Sequence, residues 1–230
     1  MFTAADREFV MTALDQFEAN GLVIWSELER NLVVARALVD VSLWKTDDTR
    51  PAPKLQPLFL ALAGGTDSLT CYLDDVQELY PPLSSMDDDA ATEILEQHSS
   101  SIFANASSIN LVNEDNALEH MVRQFFALAG LDVAHLDLRV MKNGLTRVSF
   151  EVEELGACRF EIESLKRPDV TPALAEMNRI AKAKGRGRYI RVSEGSSESE
   201  TFIFADDATL PRIVDLLGLQ AIAPTDEAKL

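Results

Sequence analysis

The chain has 230 residues, 47% of them apolar and 26% charged, enough for one large domain or two modest ones with real cores. A net charge of −17 repels nucleic acid and anionic membrane over most of the surface. No apolar run approaches the ~20 residues that span a bilayer, which argues against a membrane protein.

The N-terminal half reads as all-helical. Thr3 with Asp6 opens a helix whose stripe is Phe9, Val10, Ala13, Leu14 and Phe17, and Asn20-Gly21 closes it. Ser26 and Glu29 form a second capping box for a helix reaching Trp44, with Leu28, Leu32, Ala35, Val39 and Leu43 on its apolar side. The stretch 45–54 is a loop. Gln56–Ala63 and Ser68–Leu79 read as short helices broken at Gly64-Gly65, Pro81-Pro82 ends that pair, and Asp89–His98 is one more helix. The serine-rich stretch Ser99–Asn113 reads as the interdomain link.

From Asn116 to Gly218 the order becomes helix, three strands, helix, two strands, helix. Leu118, Met121, Val122, Phe125 and Ala129 recur at helical spacing up to Gly130. Leu136/Leu138/Val140, Val148/Phe150/Val152 and Cys158/Phe160/Ile162 alternate with polar residues, with turns at Asn143-Gly144 and Leu155-Gly156. Pro172–Lys184 is a helix, Tyr189–Ser193 and Thr201–Ala205 are strands, and Thr209 caps a last helix ending before Gly218. The expected fold class is therefore α+β: a helical domain (1–100), a linker (101–113), an α-βββ-α-ββ-α antiparallel-sheet domain (114–220) and a flexible tail (221–230).

Charge is unevenly divided. Residues 1–110 carry six Lys/Arg against 18 Asp/Glu, a balance of −12, and residues 111–230 carry −5. Such a surface suits a basic protein partner, although it is also an ordinary way of staying soluble. The start of the chain lacks a basic region ahead of an apolar stretch, so no secretory signal is expected. Cys71 and Cys158 sit far apart on patterned apolar faces and read as buried thiols in a reducing cytoplasm rather than a disulfide.

Few motifs carry chemistry. Ala63-Gly-Gly-Thr-Asp-Ser68 resembles the SGGxDS phosphate loop of PP-loop ATP pyrophosphatases, with Ala63 where that family has Ser. That fold needs a parallel sheet, and residues 70–112 offer no clear strand, so the simpler reading is a helix terminator followed by a capped helix. Glu161-Ile-Glu163 on the third strand resembles part of the PD-(D/E)xK nuclease motif, but Glu163 stands where the Lys belongs and Lys166 comes three residues later. The simpler reading makes Arg139, Arg147, Glu151, Glu153, Arg159, Glu161 and Glu163 the solvated, cross-paired face of the sheet. His98, His120 and His135 show no metal-binding spacing, and no serine sits in a nucleophile elbow. Neither a catalytic set, a metal site nor a cofactor is expected. Arg179, Lys182, Lys184, Arg186, Arg188 and Arg191 form a basic run without interleaved aromatics beyond Tyr189, which suits a solvated helix face or docking on the acidic half better than RNA.

The order helix–βββ–helix–ββ–helix resembles that of type III secretion chaperones and YbjN-like proteins over residues 114–218. Leu174-x-x-Met177-Asn178-Arg179, followed by a strand, resembles the "L…NxxN" second helix of the YbjN-like proteins, with Ala181 in place of the second Asn. The resemblance implies an acidic, usually dimeric, non-enzymatic protein that binds extended client segments on apolar patches. The expected function is a cytoplasmic, chaperone-like module that binds a protein client, with a homodimer mate as a further partner. An immunity or antitoxin-type inhibitor of a basic toxin is the alternative. Phe202, Ile203 and Phe204 are the candidate protein-binding residues, because three consecutive apolar residues place apolar groups on both faces of one strand. One face serves the core; the other meets a partner, a homodimer mate or the N-terminal domain, unless helices of the same chain cover both.

Overall fold

A computed structural model describes residues 3–25, 30–45, 54–64, 77, 80–97, 102–110, 117–163, 169–193 and 199–219. It is an α+β protein in which a helical region precedes two three-stranded sheets. Contacts divide it into two compact units, Met1–Ser107 with Pro211–Ala223, and Ser108–Leu210 with Pro224–Leu230.

In the first unit, helix α1 (Ala4–Ala19) starts at the expected capping box. Thr3 Oγ1 accepts from the Asp6 N–H, and the Asp6 carboxylate accepts from the Thr3 N–H at 2.8 Å. Val10, Ala13, Leu14 and Phe17 are its buried face. Helix α2 (Arg30–Lys45) departs from the one-sided pattern expected of it: every residue from Ala35 to Val41 is buried, Arg36 and Asp40 included. The Ser26–Glu29 capping box lies outside the described residues. Helix α3 (Leu55–Ala63) ends at Gly64. Phe17, Phe59 and Phe103 pack as an aromatic trio with centroids 5.3–6.2 Å apart. Pro81 and Pro82 begin a short helix α4 (Pro81–Ser84) rather than only ending one, since proline's missing N–H costs nothing in a first turn. Helix α5 (Asp88–Gln97) follows. The expected 68–79 helix lies outside the described residues apart from Gln77.

The expected link contains a strand. Ile24 bridges Phe103, with Trp25 N–H donating to the Ile102 carbonyl at 3.0 Å and Ala104 N–H to the Val23 carbonyl at 2.7 Å. Strand β1 (Ala106–Asn110) then hydrogen-bonds to the later strand β6, so its serines lie in a ladder and its Ala106 and Ile109 are buried. The division between the units falls inside this strand.

In the second unit, helix α6 (Ala117–Leu128) precedes an antiparallel meander, β2 (Ala134–Val140), β3 (Leu145–Val152) and β4 (Gly156–Glu163). Helix α7 (Thr171–Ala183) leads to the antiparallel pair β5 (Arg188–Ser193) and β6 (Ser199–Ala205), with sheet orders β2-β3-β4 and β1-β6-β5. The inward residues of β3 and β4, among them Val148, Phe150, Phe160 and Ile162, share one core with Phe125, Met177, Tyr189 and Phe202. Gly187 is fixed by sterics: at φ +129° a Cβ there would lie 2.3 Å from the Ala205 carbonyl oxygen. Helix α8 (Leu210–Leu217) opens on the Asp206 carboxylate, which accepts from the Thr209 N–H at 2.7 Å; from Pro211 onward it groups with the first unit.

Candidate functional site

The three apolar residues of β6 are enclosed. Phe202 and Ile203 are fully buried and Phe204 is 8% exposed. Phe202 and Phe204 belong to the core of the second unit, their rings set against Phe125 at 4.9 Å and Tyr189 at 4.6 Å. Ile203, on the opposite face, is buried outside that cluster. None of the three side chains is exposed.

The basic run is neutralised mainly by its own unit rather than by the acidic half. Arg179 pairs with Glu176 at 2.7 Å, Lys184 with Glu154 at 2.8 Å, Arg191 with Glu200 at 2.8 Å and Arg188 with Asp207 at 3.4 Å. Four of the six cations are thus answered by carboxylates, which leaves little positive field for a polyanion.

Gly64 terminates a helix, whereas a phosphate loop follows a strand; Thr66, Asp67 and Ser68 lie outside the described residues. Among the described residues of 70–112, strand β1 belongs to the sheet with β5 and β6. On β4, Glu161 accepts from Arg147 at 2.9 Å across the register Arg147↔Glu161, the cross-paired exposed face that alternation implies. Lys166 is not among the described residues. No group of three or more His, Cys, Asp or Glu among the described residues could hold one metal ion.

A shallow groove of about 540 Å³ lies on the meander, bordered by His135, Ser149, Glu151, Cys158 and Arg159. His135 adopts φ +50° at the bulge between Ala134 and Asp137, and its Nε2 stands 3.8 Å from Glu151 Oε2. That spacing is within ion-pair range but beyond a hydrogen bond. Cys158 is buried, with its Sγ 3.4 Å from the Arg179 guanidinium. Cys71 lies outside the described residues.

Among the described residues, large apolar side chains are exposed in each unit. In the first unit, Val23 (53% exposed) and Trp25 (37%) lie on one side of the extended stretch that bridges Phe103, alternating with buried Leu22 and half-buried Ile24. Sequence reasoning missed them. The signal was an apolar tetrad with two β-branched residues and an aromatic one, Leu22-Val-Ile-Trp25, held between a helix-closing glycine and the next serine. In the second unit, edge strand β2 carries half-buried Leu136 and Leu138, then Val140 at 72% exposure.

The fold and these surfaces define an α+β protein, and among the described residues no helix is long and apolar enough to cross a membrane. Compared with protein families, curated proteins and solved structures, the chain matches none.

Proposed function

We propose that this chain is a non-enzymatic, cytoplasmic protein-binding module of the chaperone-like kind, which recognises a protein client. The observation that carries the reading is the exposed pair Val23 and Trp25 in the half with a balance of −12. Tryptophan is over-represented among residues that dominate interface energetics, and a neighbouring valine extends the apolar contact. The acidic surroundings steer a basic client and speed its encounter, an effect that fades as salt shortens the Debye length from ~10 Å at 0.1 M to ~3 Å at 1 M.

The test is a pull-down from native cell extract at low and high salt, with wild-type chain and with Trp25→Ser. A retained protein that the variant loses, while its thermal melt stays within a few degrees of wild type, supports the module. A chain that holds no protein at either salt overturns it. The same acidity favours a second reading, an inhibitor that covers a basic toxin by charge complementarity. The neighbouring genes separate the two: a toxin gene beside this one selects the inhibitor.

A further inference from the structure

We propose that β2 pairs with β2 of a second copy, in antiparallel register centred on Leu138. Among the described residues, β2 has a strand neighbour on one side only, β3. Met141 N–H donates to the Leu145 carbonyl at 2.8 Å, so alternation turns the backbone groups of Arg139 and Asp137 towards β3 and those of Leu138 and Val140 outward. A two-fold axis beside Leu138 makes it a mutual hydrogen-bonded pair with its counterpart.

The side chains then match themselves. Asp137 of each copy lies opposite Arg139 of the other, at a non-hydrogen-bonded position where cross-strand side chains come closest. Neither residue has an ion-pair partner among the described residues. Arg139 stands opposite a like charge, Arg147, which is itself engaged by Glu161. On the other face Leu136 meets Val140, and Leu138 meets Leu138, so the 72% exposed valine gains an apolar neighbour. Shifting the centre to Asp137 or Arg139 would set like charges against each other. The bulge at Ala134/Asp137 and the Asn143-Gly144 turn bound the pairable stretch on both sides.

A strand this short buries far less than the ~800 Å² per partner of a standard interface, so the dimer should be weak and concentration-dependent. This surface is independent of the client reading, which rests on the other unit. Sedimentation velocity of the full chain, from about 1 to 200 μM, reads it directly. Wild type should shift towards twice its 25.4 kDa mass as concentration rises. Asp137→Arg and Arg139→Asp should each weaken self-association about tenfold, and an equimolar mixture of the two should associate again, because each supplies the charge the other lacks. The double variant carrying both changes should also regain it. Far-UV circular dichroism and thermal melts confirm that the variants remain folded. A wild-type chain that stays monomeric overturns the proposal, even if the edge accepts a strand from another protein. So does a dimer indifferent to both reversals.

Discussion

The Asn178 side chain grips the backbone of Tyr189 at both ends of one residue. Its Oδ1 accepts from the Tyr189 N–H at 2.7 Å, and its Nδ2 donates to the Tyr189 carbonyl at 3.3 Å. An amide side chain on α7 thus does for β5 what a neighbouring strand would do. Tyr189 in turn donates its hydroxyl to the Phe125 carbonyl and packs its ring edge-on against Phe125. One residue therefore ties α6, α7 and β5 together.

Asn178→Ala should cost roughly 2 kcal/mol in urea unfolding, since two backbone groups lose their partners in a half-buried place. Asn178→Asp should recover only part of it, because a carboxylate accepts from the Tyr189 N–H but repels the Tyr189 carbonyl. Equal stability in all three chains would show that water replaces the amide without loss.

Gly187→Ala should be more damaging than any exposed substitution, by roughly 2–4 kcal/mol, because the backbone of Ala205 occupies the place of the methyl group. Gly144→Ala, also at positive φ but with open space around it, should cost only about 1 kcal/mol. Melting temperatures of the pair measure the difference.

At β6 the expectation follows from enclosure. Ile203→Val should cost about 1 kcal/mol and Ile203→Ala about 3 kcal/mol, the range for a filled core site. Changes near zero, measured by chemical denaturation, would mean that Ile203 faces solvent in solution.

Asp40 should make stability depend on pH. Burial raises its carboxyl to about 6, against the partial opposition of Arg36, whose own value burial lowers to about 10. The folded chain then holds a proton that the unfolded chain has released between the ordinary carboxylate range and pH 6. Its contribution is complete below the unfolded value and is lost as pH rises through 6. Relative to Asp40→Asn, wild type should therefore gain on the order of 2 kcal/mol when pH falls from 7 to 4. A difference that stays flat across that window would place Asp40 in water.

The sequence revealed the meander and its flanking helices because one side of each is solvated, so alternation and 3–4 spacing are visible in residues such as Phe150/Glu151 and Met121/Phe125. It concealed features wherever burial is two-sided or pairing is mostly through backbone. Arg36 and Asp40 interrupt the apolar pattern of α2 although both are buried. The serines of β1 look like linker because a strand held by its ladder needs few apolar side chains. Phe202–Phe204 spells out a strand with two apolar faces, but the letters do not say what closes the second face. The exposed valine and tryptophan near Phe103 were legible only as β-prone residues, since exposure is a property of the packed chain.

Helix α8 gives the chain an unusual order of assembly. Its buried Ile213 and Leu217 group with residues made some two hundred positions earlier, and Arg212 donates to the carbonyl of Ala19 at the end of α1. On the ribosome the first unit stays incomplete until this helix has been made, while the core residues of the second unit, which end at Phe204, precede it in the chain. The second half can mature first, and the first unit completes its core only once this helix has been added.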